Sequence, residues 1–182
     1  MTKIKKNPVL PYIVLPVIVT ALLLTRVGNT DAFILLRYEL LVVAGYIAAV
    51  LDLKTRRIPN KLLSALLVLL MLIMALKVLF DTDIAINMLL DCVLGCAAGG
   101  GLFLLVFLIS RKGLGGGDVK FMAAAGAYLG FGGILPAILL GSVLAALTGG
   151  ALILLKKIGR KDVIPLVPFL YIGILITVFT QY

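Results

Sequence analysis

Gly115-Gly116-Gly117-Asp118, a glycine run closed by an aspartate, stands directly before an apolar segment that starts at Val119. A second aspartate, Asp52, ends another apolar stretch and leads into the basic segment Lys54-Thr55-Arg56-Arg57-Ile58-Pro59-Asn60. The chain has 182 residues, of which 63% are hydrophobic and 14% charged. Soluble domains are much less apolar. The sequence therefore reads as one polytopic membrane domain, and a carboxylate at membrane depth is costly enough to call for a functional explanation.

Working outward from the run, apolar segments cover 9–24, 34–52, 62–80, 84–109, 119–131, 134–155 and 163–180. Most reach the roughly 20 residues a spanning helix needs. They predict an all-α membrane bundle: a six-helix core over 31–182 and an additional N-terminal helix within 1–30. Lys3, Lys5 and Lys6 ahead of Val9–Leu24 resemble a signal peptide, but Thr25-Arg26-Val27 offers no small-x-small cleavage site, so the helix is read as retained. The segment 119–131 is short and is expected to tilt or to stop against neighbouring protein. Recurrent glycines, among them Gly95, Gly99, Gly126, Gly130 and Gly141, allow close helix approach.

Basic residues set the orientation. With the N-terminus in the cytoplasm, the tail and the loops 53–61, 110–120 and 156–162 hold fourteen Lys and Arg, and the other side has only Arg26, Arg37 and Lys77. That bias predicts seven crossings of the cytoplasmic membrane with the C-terminus outside. Asp52 then ends one helix as it reaches the cytoplasm, and Asp118 begins another as it leaves, so both carboxylates fall at the same face.

Composition narrows the chemistry. There is no histidine, which removes serine–histidine and cysteine–histidine catalysis and the H-E-x-x-H zinc helix. Cys92 and Cys96, one turn apart in an apolar run, do not make paired zinc knuckles, and neither a metal nor a cofactor is expected. The net charge of +9 comes from short loops and marks membrane orientation, not nucleic acid. Two carboxylates at one site share a proton: one draws a proton from water while the other, neutral, polarises a carbonyl. Gly115, Gly116 and Gly117 are read as unwound backbone that a substrate could approach, with Lys120 as a further substrate contact. Plainer roles exist for each acid. Asp118 could be an N-cap, and Asp52 could pair with Lys54, Arg56 or Lys120. Glu39 is expected near Arg37, Asp83 and Asp162 as caps, and Asp91 in a structural hydrogen bond.

At these residues the chain strongly resembles the type IV prepilin peptidases, aspartyl proteases of the GxGD class. The matching stretches are Asp52-Leu53-Lys54-Thr55-Arg56-Arg57-Ile58-Pro59-Asn60, Gly115–Lys120 with Ala125–Gly130, and Ile164-Pro165-Leu166-Val167-Pro168-Phe169. The resemblance covers about residues 38 to 180. It implies a polytopic helical fold, catalytic Asp52 and Asp118 near the cytoplasmic face, and pilin-like precursors with short basic leaders as substrates. Larger members carry an N-terminal segment with four cysteines, linked to N-methylation. Nothing of that kind precedes residue 34, so the resemblance is to the short, peptidase-only members. Two other readings stay open. One is a proton- or cation-coupled transporter with Asp52, Asp91 and Asp118 as a relay. The other is a presenilin-like intramembrane protease, which would need both aspartates deeper in their helices.

Overall fold

The computed structural model describes residues 31–110, 114–157 and 164–181, with the single residues 19, 21 and 159. Five helices follow one another in these residues: α1 Ala32–Thr55, α2 Asn60–Phe80, α3 Thr82–Ser110, α4 Gly116–Leu154 and α5 Val167–Gln181. No strand occurs among the described residues. The helix expected over 9–24 falls outside them but for Val19 and Ala21, and Asp162 falls outside as well.

The burial pattern is that of a bundle in lipid. Leu79, Ile109 and Leu154 are 80%, 80% and 84% exposed, whereas Ala48, Ala125 and Ala137 are fully buried. In water such a surface would drive association. Against lipid tails it costs nothing, and small residues in the interior let the helices close up. α1 to α4 are each long and apolar enough to cross a membrane, so this is a multi-pass membrane protein.

α4 departs from expectation. The sequence predicts six core helices and the structure has five, because the segments expected at 119–131 and 134–155 belong to one element. A straight helix of 39 residues would be about 58 Å long, nearly twice the hydrocarbon thickness of about 30 Å. α4 is not straight. Gly130 has φ 75° and ψ 178°, a region essentially reserved for glycine, and the chain folds back there. Gly95 on α3 lies against Gly126, and Gly99 against Met122, so the first half of α4 runs antiparallel to α3. Beyond the break Gly95 meets Gly130 and Gly99 meets Ile134, so the second half runs in α3's own direction. α5 then packs antiparallel to that second half, with Leu170 on Gly141 and Gly173 on Ala137.

A reversal inside an apolar bundle strands backbone carbonyls at the end of one half and N–H groups at the start of the next. Two charged side chains meet them. Arg37 Nη2 of α1 donates to Ala127 O at 3.1 Å and to Tyr128 O at 2.7 Å. Asp91 Oδ1 of α3 accepts from Phe131 N–H at 2.8 Å. A cation at a helix C-terminus and an anion at an N-terminus both have the sign the helix dipole favours. Asp91 is thus in the structural hydrogen bond expected of it. The expected pairing of Arg37 with Glu39 is not found, and the Glu39 carboxylate oxygens are buried with no hydrogen-bond partner.

At the end of the bundle where α1 begins and α2 finishes, Lys77 Nζ lies 2.6 Å from Asp31 Oδ2 and 5.1 Å above the Phe33 ring. Phe33 in turn meets Phe80 at 5.8 Å between centroids. The hydrogen bond from Lys77, and after it the Phe33 N–H, hold the Asp31 carboxyl below the usual carboxylate range. Asp81 Oδ1, rather than Asp83, accepts the Ile84 N–H at the start of α3.

Candidate active site

Asp52 occupies the last turn of α1. The helix ends at Arg56, a left-handed C-cap with φ 52° whose N–H bonds to Asp52 O at 2.9 Å. Pro59, extended at φ −69° and ψ 131°, then delivers the chain to α2 at Asn60. Asp52 is a buried residue, at 6% exposure. Its Oδ2 accepts the N–H of Val167, the first residue of α5, at 3.2 Å. An acid at a helix N-terminus is well placed electrostatically, so Asp52 also anchors α5.

Asp118 sits in the first turn of α4. The N-cap is Gly115, with φ −83° and ψ 142° and no side chain to cap with. Asp118 Oδ2 reaches back to accept the Gly115 N–H at 3.1 Å, and Asp118 N–H donates to Gly115 O at 3.0 Å. The N-cap role considered for Asp118 therefore belongs to Gly115, with Asp118 supplying the acid three residues on.

The glycine run is less unwound than expected. Gly116 and Gly117 are already helical, and neither has positive φ. Their contribution is space: a Cβ at Gly116 would meet nothing within 4 Å, and one at Gly117 would lie 3.5 Å from Ile58 Cβ, an ordinary contact.

One cavity of about 470 Å³ gathers these residues. Asp52, Asp118, Gly115, Gly116, Gly117 and Lys120 all line it, so the two aspartates face one space from different helices. The basic loop contributes Arg56, Arg57, Ile58 and Asn60 to the wall, and the strand of chain before α5 contributes Ile164, Pro165 and Leu166. Lys120 Nζ donates to Asn60 Oδ1 at 3.2 Å, and no ion pair joins Asp52 to Lys54, Arg56 or Lys120 among the described residues. Among the same residues no three side chains of the His, Cys, Asp and Glu types come together as a metal site would require. Sequence reasoning missed the Val167 N–H on Asp52, although its segment was singled out. It also missed Asn60 as the partner of Lys120.

Comparison with known proteins bears on the same residues. The model of the type IV leader peptidase family matches residues 39–150, a span that holds both aspartates and the glycine run. Over 66 residues the chain is 41% identical to a prepilin leader peptidase/N-methyltransferase of Xanthomonas campestris pv. campestris, covering 36% of this chain and 23% of that protein. Over 91 residues it is 35% identical to the Aeromonas salmonicida protein of that name, covering 46% and 30%. The Bacillus subtilis protein of that name is 31% identical over 80 residues, covering 44% and 32%. The chain thus aligns with about a quarter to a third of these relatives' length. No solved structure matches. On the breadth of the family match, this chain belongs to the type IV leader peptidase family.

Proposed function

We propose that this protein is an aspartyl endopeptidase of the cytoplasmic membrane that removes basic leaders from type IV pilin-like precursors. The observation that carries the reading is the convergence of Asp52 and Asp118, from two helices far apart in sequence, on one cavity walled by bare glycine backbone. Each carboxylate has one oxygen held by a backbone N–H, which fixes its orientation. Two such groups share a proton: the charged member acts as base toward water, and the neutral member donates to the scissile carbonyl. The relatives' names supply the substrate class. A cavity of this volume accommodates a short peptide segment.

Orientation belongs to the same proposal. The cavity lies where α1 ends and α2 and α4 begin, beside the basic residues 54–61. With that end in the cytoplasm, the leader of a precursor whose apolar helix sits in the bilayer would reach Asp52 and Asp118 without crossing. A transporter reading is less supported, because Asp91 is engaged by the Phe131 N–H instead of joining a relay.

The test is substitution in a purified protein assayed on a model prepilin. Asp52→Asn and Asp118→Asn should each insert and fold while cleavage drops by at least about 10³-fold, since an amide cannot carry the proton. Cleavage within tenfold of the unaltered rate, about 1.4 kcal/mol in barrier, by either variant would rule out a two-aspartate mechanism.

A further inference from the structure

The break in α4 joins the candidate site to a residue at the far end of the bundle. The half-helix from Gly116 to Leu129 carries Asp118 in its first turn and ends in the carbonyls of Ala127 and Tyr128, which Arg37 holds. Arg37 and Asp52 stand on the same helix, α1, about four turns apart. α1 and this half-helix are therefore tied at the end distant from the cavity by one guanidinium, and at the near end each presents one aspartate. Arg37 is 4% exposed and also reaches Cys92 Sγ at 3.4 Å. Across the break, Asp91 fixes the start of the returning half through Phe131.

Other contacts of the half-helix set its lateral seat. Gly99 and Gly100 accept Met122 and Ala123 at close range, and the Tyr128 hydroxyl donates to Leu66 O at 2.7 Å. The Arg37 clamp is the contact that ties its level along its own axis directly to α1 by hydrogen bonds. Without it, two buried carbonyl groups lose their donor, and sliding or unwinding of the last turn toward another donor would carry Asp118 along.

We propose that Arg37, supported by Asp91, is a positioning residue for the aspartate pair: a charged cap that fixes the level of the Gly116–Leu129 half-helix so that Asp118 stands at the depth of Asp52. The inference rests on the reading of Asp52 and Asp118 as the reacting pair, and neither Arg37 nor Asp91 lines the cavity.

The half-helix can be read directly. Ile58→Cys with Gly117→Cys places two thiols on Cβ positions 3.5 Å apart, within disulfide range. The linked peptides, identified by mass from oxidised membranes, report the level of the Asp118 end without requiring activity. With Arg37 present the bridge should form readily, and Arg37→Gln should lower its yield several-fold. In the enzyme without these cysteines, Arg37→Gln should lower kcat by about 10²-fold, the scale of a misplacement near 1 Å, with KM changed less than about twofold. Arg37→Lys keeps a charged donor and should recover much of both readouts. Asp91→Asn keeps an acceptor for Phe131 and should resemble the unaltered protein, whereas Asp91→Leu should not. Unchanged cross-linking in Arg37→Gln overturns the inference whatever the activity. Retained cleavage by Asp52→Asn or Asp118→Asn would instead defeat the reacting-pair reading, and the cross-link would still report on Arg37 and the half-helix.

Discussion

Gly116 offers the sharpest distinction at the scale of a single residue. It lines the cavity, and a side chain added there meets no protein atom within 4 Å. Gly116→Val should therefore fold as well as the unaltered chain, since leaving glycine in a helix is neutral or favourable. Its cleavage of a model prepilin should nevertheless fall by at least about tenfold, because the branched side chain occupies space next to Asp118. Thermal melting in detergent beside a cleavage assay separates the two effects, and a normal rate would show that substrate does not lie against this backbone. Asp52 and Asp118 were legible because an acid in so apolar a chain needs a reason. The anchor of Asp52 was not, since the Val167 N–H reaches it only through the packing of α5 against α1.

Among the elements, α4 shows where sequence reading stops. Ala125 to Ile138 contains no charged residue and no polar turn residue, and glycines at 126, 130, 132 and 133 serve close packing and chain reversal equally well. The segment boundaries expected at 131 and 134 fall just past the break at Gly130 and do not disclose the fold-back. What stabilises it comes from Arg37 and Asp91, distant in sequence, and no local pattern announces them. Gly130→Ala should cost about 1–3 kcal/mol from its backbone conformation alone, and more because the new methyl would collide with Asp91. Gly101→Ala, on the neighbouring helix with open space around it, should be neutral or stabilising by up to about 1 kcal/mol. Equal melting temperatures for these two variants would mean that the reversal is not held as described.

For the whole molecule, charge placement is what the sequence offers toward orientation, and the structure takes two residues out of that count. Arg37 and Lys77, which the count sets on the outer side, are both buried and engaged in the bundle. They are packing residues, so of the three outer cations only Arg26 speaks to orientation. Cysteines introduced at Arg57 and at Asp81, in a background of Cys92→Ala and Cys96→Ala, lie at opposite ends of α2, about 30 Å apart along its length. In intact cells only the Asp81 position should label with an impermeant reagent, and labelling at Arg57 would invert the proposed orientation. The capped break also bears on the order of synthesis. α1 and α3 leave the ribosome before α4, so Arg37 and Asp91 enter the bilayer ahead of the carbonyls and the N–H that later satisfy them. Until the hairpin arrives, the nascent protein holds a guanidinium and a carboxyl group within apolar helices with no backbone group to serve. Insertion of Gly116–Leu154 then supplies the partners of both side chains, so a chain terminated before Gly116 should be the shorter-lived one in a pulse-chase comparison with the whole protein.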